Sequence, residues 1–129
     1  MPVEVSRPIL LVEDDAALSG ILERYFRARG YAVEVAGSAE VADEALQRGL
    51  RPSVVILDVN LPGQTGWSLL RSTGLATAGS PPVIVATATA VNPHQLKELG
   101  AAGYLPKPFP LDTLRTIVER LTQQKASEG

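Results

Sequence analysis

The segment VVILDVNLPGQTG, residues 54–66, joins an apolar run to an aspartate and to a stretch that contains proline and glycine. The four residues VVIL carry no polar side chain, which is typical of a strand buried on both faces in the middle of a parallel sheet. Asp58 follows the run directly, so we expect its carboxylate at the carboxyl end of a central strand. A short helix is predicted after it, over residues 66–72.

Four other segments predict strands, and helical patterns separate all five. The further strands cover residues 9–12, 33–35, 83–86 and 103–105. Strands that alternate with helices form parallel βαβ units with right-handed crossovers, which pack as a three-layer α/β sandwich. In such folds the ligand site lies at the carboxyl ends of the central strands. The residues that follow each strand are therefore the first candidates for function.

The helices are predicted from apolar stripes and from capping residues. Asp15 and Ser38 are the expected N-caps of the first two helices, and Gly30 ends the first. The stripe residues are Leu18, Ile21, Leu22, Tyr25 and Arg29 in the first helix, and Val41, Ala42, Ala45 and Leu46 in the second. A short fourth helix is predicted over residues 93–99. The last helix carries Leu111, Leu114, Ile117, Val118 and Leu121.

The composition fits one small domain. The chain has 129 residues, of which 45% are hydrophobic, enough to close a single core. We predict a folded domain over residues 8–122, an N-terminal tail over 1–7 and a C-terminal tail over 123–129, with a loop at 74–82. The sequence has no apolar run of membrane-spanning length, so we expect a soluble, cytoplasmic protein.

The residue types exclude several kinds of chemistry. The chain has no cysteine, which excludes disulfides, thiolate metal sites and thiol catalysis, and its single histidine is His94. The formal net charge is -2, so no strong overall field attracts the chain to nucleic acid or to an anionic membrane. Any chemistry must therefore rest on carboxylates, hydroxyls and lysine.

Polar residues stand directly after four of the predicted strands. They are the acidic run at residues 13–15, then Asp58, Thr87 and Lys107. Because the carboxyl ends of parallel strands meet at one edge of a sheet, all of these side chains should converge there. The convergence predicts one polar site in an otherwise apolar domain.

The carboxylates at this edge predict a metal site. Clustered carboxylates repel one another, and a hard cation with oxygen ligands relieves the repulsion. Mg²⁺ suits a site that keeps waters and meets a phosphate, and Asp14 and Asp58 are the expected direct ligands. Asp58 is also the available nucleophile, which predicts an acyl phosphate on its carboxylate. Lys107 and the Thr87 hydroxyl would hold phosphoryl oxygens, with no general base required.

Four segments together resemble the signature of response regulator receiver domains. In chain order they are LVEDD (11–15), LDVNLPGQTG (57–66), VIVATA (83–88) and GYLPKPF (103–109), and the resemblance covers about residues 8–122. The interval from the acidic pair to the acceptor, 58 − 14 = 44, and from the acceptor to the hydroxyl, 87 − 58 = 29, are similar to the family pattern. The resemblance implies a flavodoxin-like, doubly wound (βα)5 fold with strand order 2-1-3-4-5.

The resemblance also implies a role for each matching residue. These are Glu13 and Asp14 as the acidic pair for Mg²⁺, Asp58 as phosphoacceptor and metal ligand, Asn60 as the donor of a backbone carbonyl to the metal, Thr87 as switch hydroxyl, Tyr104 as switch aromatic and Lys107 as phosphate partner. Pro62, Gly63 and Gly66 match the loop after the acceptor. Pro108 matches a position that often follows a cis peptide bond, which an X-Pro bond allows.

The implied function is a phosphorylation-controlled switch in two-component or phosphorelay signalling. A sensor histidine kinase or a histidine phosphotransfer protein would supply the phosphoryl group, and a downstream target or an output domain would read the result. Movement of Thr87 and Tyr104 would bias an equilibrium between two conformations. We expect no conventional enzymatic turnover, no direct binding of nucleic acid and no membrane contact. The resemblance allows a homodimer through the face of the fourth and fifth helices.

Two segments depart from the family pattern. The interval from Thr87 to Lys107, 107 − 87 = 20, is about two residues shorter than is common, so the fourth helix should be short or displaced. The segment before the fourth strand is rich in Gly, Ser, Thr and Ala, so the third helix should be truncated. The output face is therefore the part that the sequence defines least.

Other interpretations stay open at this point. The acidic run at residues 13–15 could simply cap the first helix, and Tyr104 could be ordinary strand packing. A degenerate receiver would act as an adaptor without phosphorylation. A phosphatase of the haloacid-dehalogenase kind also uses a strand-end aspartate, but that family has a second aspartate two positions on, where this chain has Asn60. A flavodoxin-like binding module would need a phosphate cradle rich in glycine or hydroxyls, which the strand-end loops lack.

Overall fold

The structure, a computed structural model, describes residues 7–63, 65–73, 80–98 and 100–128. Only Arg7 of the predicted N-terminal tail is among them, and most of the predicted loop at 74–82 lies outside the described residues. The elements, in chain order, are β1 (Ile9–Val12), α1 (Ala16–Arg27), β2 (Val33–Ala36), α2 (Ala39–Gln47), β3 (Val54–Leu57), α3 (Gly66–Thr73), β4 (Val83–Thr87), α4 (Pro93–Glu98), β5 (Gly103–Pro106) and α5 (Leu111–Glu128).

The strands form one parallel sheet in the order β2-β1-β3-β4-β5, which confirms the predicted fold. Strands β1 and β3 have the predicted bounds, and β2, β4 and β5 each continue one residue further. The register places Val12 beside Leu57 and Thr87 beside Pro106. The residues that follow these pairs therefore come out at the same edge of the sheet.

Buried side chains pack on both faces of the sheet and produce three layers. Leu10 and Val12 of β1 belong to a core cluster that includes residues of α2 and α3. Ile9 and Leu11, which alternate with them, belong to a second cluster with α1 and α5. Full burial of one such side chain stabilises the fold by about 1.5–3 kcal/mol. The absence of polar side chains from β1 is thus explained by burial on both faces.

The first two helices begin at the predicted caps. The Asp15 Oδ1 atom accepts hydrogen bonds from the backbone N–H groups of Ala17 at 3.0 Å and Leu18 at 3.1 Å. Ser38 Oγ accepts one from the Val41 N–H at 3.1 Å. Gly30 follows α1 with φ of 90°, a conformation that glycine adopts without a steric penalty. The cap at Asp15 fixes where α1 starts, immediately beside the acidic residues that end β1.

The predicted stripe of α1 is wrong at Ile21 and at Arg29, which is exposed and lies beyond the end of the helix, and the stripe of α2 is wrong at Val41. Ile21 is 46% exposed and Val41 is 47% exposed, although the pattern placed both toward the core. The face of α1 that contacts the sheet instead carries Leu22 and Phe26, both 1% exposed, together with Ser19. A helix on a sheet buries only about a 100° sector, and the stripe of α1 is rotated away from Ile21.

The last three helices differ in how firmly they are held. Helix α3 is short, as predicted, and α4 has six residues, none of them buried. Helix α5 has 18 residues and continues through positions 123–128, which the sequence analysis treated as a tail. None of the described helices is long and apolar enough to cross a membrane.

A polar network, here called the α1–α5 brace, joins these two helices through Tyr25, Asp112 and Arg115. The Tyr25 hydroxyl donates a hydrogen bond to Asp112 Oδ1 in the first turn of α5 and accepts one from Arg115 Nε at 3.0 Å. The Arg29 guanidinium lies over the Tyr25 ring, 3.7 Å from its centroid. The brace fixes the start of α5 against the last turn of α1.

Gly66, the first residue of α3, lies against the backbone that follows β3. A Cβ atom at this position would lie 2.6 Å from Val59 Cα and 2.7 Å from the Asp58 carbonyl oxygen. Its N–H donates a hydrogen bond to the Val59 carbonyl at 3.1 Å, so the helix cannot simply move away. Glycine is required here by the close approach of two backbones.

We therefore expect Gly66→Ala to destabilise the protein by roughly 1–3 kcal/mol, because the added methyl group forces the chain at residues 58–59 to shift. Urea unfolding followed by circular dichroism measures the change. Gly37→Ala is the matched control, since a Cβ there meets nothing within 4 Å, and its effect should stay within about 0.5 kcal/mol. Equal stabilities for the two variants would contradict the close-approach explanation.

Candidate functional site

Three carboxylates meet at the carboxyl ends of β1 and β3. The Asp58 N–H donates a hydrogen bond to the Val12 carbonyl at 3.0 Å, which brings Asp58 beside the residues that follow β1. One carboxylate oxygen from each of Glu13, Asp14 and Asp58 lies within 4.8 Å of the others. Glu13 is 4% and Asp58 6% exposed, whereas Asp14 is exposed. The acidic site formed by these three residues is thus partly closed and open on the side of Asp14.

The Asp58 carboxylate is held by two donors. Its Oδ1 atom accepts the backbone N–H of Asn60 at 2.9 Å, and its Oδ2 atom accepts Lys107 Nζ at 2.9 Å. The Asn60 contact arises because the chain turns directly after β3. The Lys107 contact comes from the residue that follows β5, which lies on the far side of β4 in the sheet. The carboxylate is therefore fixed in orientation before any ligand arrives.

Lys107 links both buried carboxylates. Its ammonium donates to Glu13 Oε1 as well as to Asp58 Oδ2. The residue is fixed at its backbone, because its N–H donates to the Thr87 carbonyl at 3.0 Å, and the Lys107–Pro108 peptide bond is cis, as the resemblance allowed. The Lys107 ammonium thus forms ion pairs with the carboxylates of both Glu13 and Asp58.

Thr87 is fully buried at the end of β4, with 0% exposure. Its Oγ1 atom accepts the Thr89 N–H at 3.4 Å. The hydroxyl also interacts with the Asp58 carboxylate, which it stabilises in the ionised form. The predicted hydroxyl is therefore beside the predicted acceptor.

The pKa values follow from the competition between burial and these partners. Burial raises the pKa of the Glu13 carboxyl, and the hydrogen bonds from Lys107 and the Asp15 N–H only partly oppose it, so the net shift is upward. Burial acts in the same direction on Asp58, but hydrogen bonds from Asn60, Lys107 and Thr87 outweigh it and lower its pKa. Burial lowers the pKa of Lys107, yet its two carboxylate partners raise it overall.

The donor set of the acidic site fits Mg²⁺. Hard divalent cations bind carboxylate and carbonyl oxygens, and the three carboxylates supply these within one small region. Cysteine is absent from the sequence, and the potential metal ligands that cluster in the described part of the chain are these three carboxylates, without His94. The predicted ligand role of the Asn60 carbonyl stays a prediction, as do the individual roles of the other site residues.

Tyr104 lies on β5, which pairs with β4. Strand β4 in turn pairs with β3, the strand that Asp58 follows. The register pairs Tyr104 with Val85, and its half-buried ring packs against the core cluster on the α2 and α3 face. It is three residues before Lys107 in the chain. Its proposed movement as a switch aromatic stays a prediction.

Sequence reasoning did not foresee two features of the site. The Asp15 N–H donates to Glu13 Oε2 at 3.1 Å, so the cap residue also orients the buried acid. A cavity of about 360 Å³ opens beside Lys107, lined by Asp15, Leu18, Ala88, Lys107, Pro108, Phe109 and Leu111. The residues come from three separate segments of the chain, so no single motif predicted the cavity.

Comparison with known proteins gives a consistent result. Residues 9–119 match the family described as the response regulator receiver domain. The response regulator MprA of Mycobacterium leprae is 36% identical in an alignment 130 positions long that covers 94% of this chain and 55% of MprA. Protein PetR of Rhodobacter capsulatus is 35% identical over 103 residues, which cover 78% of this chain and 42% of PetR. The chain thus spans about half of these curated relatives.

Solved structures agree with the sequence matches. A response regulator receiver domain protein (CheY-like) from Methanospirillum hungatei superposes with a TM-score of 0.83 at 28% identity, covering 97% of this chain and 100% of that one. The non-phosphorylated HemR receiver domain of Leptospira biflexa gives a TM-score of 0.78 at 34% identity, covering 91% and 94%. The likeness therefore extends over nearly the whole chain.

The buried Glu13 carboxylate predicts a pH dependence of stability without Mg²⁺. Because the pKa of Glu13 is raised above its usual value of 4.5, its protonated carboxyl adds to the free energy of unfolding. This contribution to stability is complete below pH 4.5 and is lost as the pH rises through the folded-state pKa. We therefore expect wild type to lose stability relative to Glu13→Gln as the pH rises from about 4.5 to 7. Urea unfolding in EDTA at several pH values measures the difference.

The control is Glu34→Gln, which removes an exposed carboxylate from β2. A constant difference between wild type and Glu13→Gln across this pH range would mean that burial does not disfavour the Glu13 carboxylate.

Proposed function

The chain belongs to the response regulator receiver domain family, and from this membership we propose that it accepts a phosphoryl group on Asp58. The observation that carries the proposal is the pair of hydrogen bonds that the Asp58 carboxylate accepts from the Asn60 N–H and the Lys107 ammonium. Its lowered pKa keeps it ionised, as a nucleophile must be.

The chemistry rests mainly on positioning and charge. A carboxylate oxygen of Asp58 attacks phosphorus, the bond from phosphorus to the donor breaks, and the product is an aspartyl phosphate. Lys107 turns from the carboxylate toward the new phosphoryl oxygens, and the buried Thr87 hydroxyl donates a hydrogen bond to one of them. No protein base is needed, because the nucleophile is already ionised.

We propose Glu13, Asp14 and Asp58 as the holders of Mg²⁺, with the Asn60 carbonyl as a further ligand. The support is the acidic site itself, with one oxygen from each carboxylate within 4.8 Å of the others. When bound, Mg²⁺ supplies positive charge that offsets the repulsion among the carboxylates and the incoming phosphoryl oxygens. Asp14, which is exposed, is the carboxylate most accessible to an entering ion.

The donor in this proposal is a phosphohistidine of a sensor kinase or of a histidine phosphotransfer protein. Relatives are described as a response regulator and as a transcriptional activator protein, PfeR of Pseudomonas aeruginosa. Because these relatives are longer than this chain, a downstream target or an output domain outside the matched region belongs to the proposal. A cytoplasmic location and a homodimer through α4 and α5 belong to it as well.

The output is a change in conformation rather than a released product. Phosphorylation would give Thr87 a new partner, the loop after β4 would move, and Tyr104 would shift toward the space left behind. The half-buried position of Tyr104 beside β4 supports this, since a small displacement there changes what the surface presents. Turnover would be limited to slow loss of the phosphoryl group to water.

Asn60 favours a receiver over a phosphatase of the haloacid-dehalogenase kind. That kind of enzyme needs an acidic group two positions after its nucleophile, and an amide side chain cannot act as a general acid or base. A degenerate adaptor is disfavoured because Asp58, Thr87 and Lys107 are all present, and both Thr87 and Lys107 interact with the Asp58 carboxylate. The phosphate acceptor role is therefore the stronger proposal.

Intact mass after incubation with acetyl phosphate and Mg²⁺ tests the acceptor. We expect a gain of one phosphoryl group that requires Mg²⁺ and disappears in Asp58→Asn. Asp43→Asn, on α2 and away from the acidic site, is the matched control and should gain the group like wild type. No gain in wild type with either acetyl phosphate or a phosphohistidine donor would point to an adaptor.

A second prediction concerns Mg²⁺ binding without phosphorylation. Ligand linkage gives about 1.4 kcal/mol of added stability when Mg²⁺ is present at about ten times its Kd. We expect Asp14→Asn to lose most of this gain, while Glu34→Gln keeps it. Urea unfolding with Mg²⁺ and with EDTA measures the two stabilities. A full gain in Asp14→Asn would remove Asp14 from the ligand set.

A further inference from the structure

The edge of the sheet where the strands begin, opposite the acidic site, has a basic surface. Four exposed arginines, here called the amino-edge patch, stand in the segments that lead into the neighbouring strands β2, β1 and β3: Arg29, Arg7, Arg48 and Arg51. The described residues directly before the five strands, at positions 7–8, 28–32, 48–53, 80–82 and 100–102, include no aspartate and no glutamate. These segments therefore do not balance the positive charge of the patch.

Backbone hydrogen bonds place the segments of the patch side by side. The Ile9 N–H donates to the Ala32 carbonyl at 2.8 Å, and the Ser53 N–H donates to the Pro8 carbonyl at 2.9 Å. The segment before β1 thus lies between the segments before β2 and β3. Because Ile9 is in register with Val54, the chain enters β1 and β3 at the same level of the sheet.

Two of the arginines, Arg7 and Arg51, are presented in the same way. Each stands directly before a proline, Pro8 or Pro52. A residue before proline is restricted to extended backbone conformations, which limits the directions that its side chain can take. Pro52 is buried, and the carbonyl of Pro8 is bound to the segment before β3. The two guanidinium groups therefore extend from partly fixed backbones on neighbouring strands.

The charges of the patch are not used within the described part of the chain. The guanidinium groups of Arg7, Arg48 and Arg51 make no ion pair or hydrogen bond with its residues, whereas that of Arg27 pairs with Glu23 at 3.0 Å. Arg48 ends α2, where a positive charge suits the helix dipole, but this leaves its N–H donors available. Like charges on adjacent strands repel one another, so stability does not explain the patch.

We propose that the amino-edge patch binds an acidic segment of a partner protein through ion pairs between its guanidinium groups and carboxylates. The planar fork of an arginine matches a carboxylate with two parallel N–H···O bonds. The patch and Asp58 lie at opposite edges of the sheet. The inference therefore does not rest on the proposed acceptor role.

A short acidic segment suits this surface better than an extended polyanion such as nucleic acid. The net charge of the chain is -2, and α2, which ends beside Arg48, carries Glu40, Asp43 and Glu44. The acidic site occupies the opposite edge of the sheet. A duplex that spans the domain would thus meet negative charge beyond the patch, which opposes its phosphates. A short segment can contact the arginines alone.

Fluorescence anisotropy with a labelled decaglutamate peptide, on the full chain without a phosphodonor, measures the binding. Arg7→Gln/Arg51→Gln removes two guanidinium groups and keeps polar side chains. We expect it to raise the Kd about fivefold or more, the size expected for the loss of two exposed ion pairs. An increase in salt from about 0.02 to 0.3 M should also weaken wild-type binding.

The matched control is Arg24→Gln/Lys97→Gln, which removes the same charge from α1 and α4. The Arg24 side chain lies back along its helix toward Gly20, away from the patch. We expect this control to change the Kd less than about twofold, since it keeps every ion pair of the patch. Equal losses in the two double variants would mean that only net charge matters and would overturn the inference, as would the absence of peptide binding at low salt.

A labelled DNA duplex of equal charge, titrated in parallel, distinguishes the two kinds of partner. If wild type binds the duplex more tightly than the peptide, and Arg7→Gln/Arg51→Gln loses that binding, the patch binds nucleic acid and the inference of an acidic protein segment is wrong. Asp58→Asn should bind the peptide like wild type. If the peptide binds while acetyl phosphate adds no phosphoryl group to wild type, the proposed function fails and this inference stands.

Discussion

The site depends on one ammonium group, that of Lys107, which lies between the buried carboxylates of Glu13 and Asp58. Two carboxylates removed from water at the same sheet edge would repel one another and lose hydration, and either would favour protonation. The lysine offsets both effects and is itself held by the Thr87 carbonyl at the end of β4. The ends of β1, β3, β4 and β5 must therefore coincide, and the parallel sheet provides this coincidence.

Burial and hydrogen bonding together shift the pKa values of the two acids in opposite directions. The pKa of Asp58 is lowered because its hydrogen bonds outweigh its burial, whereas the pKa of Glu13 is raised because the hydrogen bonds from Lys107 and the Asp15 N–H do not offset its burial. An added cation would offset the cost of burying the Glu13 carboxylate most. An added anion on Asp58 would draw Lys107 away from Glu13. A site arranged in this way responds to changes of charge, which is consistent with a domain that reads the presence of a phosphoryl group.

The order of strands and the convergence of the site could be predicted from the sequence because both follow from simple constraints. Strands buried on two faces, such as β1 and β3, contain only apolar residues. The residue that follows each of these strands lies at the carboxyl edge of the sheet. Ile21 and Val41 could not be assigned, since a stripe of apolar residues does not reveal a rotation of the helix by a fraction of a turn. Likewise, the cavity beside Lys107 is lined by three separate segments of the chain, which no local pattern brings together.

Helix α4 has no buried side chain, and this affects how much energy a signal must carry. The apolar contact of α4 with the core is that of Leu96, which is only half-buried, so moving this helix exposes less apolar surface than moving one with fully buried side chains. A bias of about 5.5 kcal/mol inverts a two-state population from 1:99 to 99:1, and smaller biases suffice for a graded response. Among the described helices α4 alone has no buried side chain, so its displacement would cost the least apolar burial.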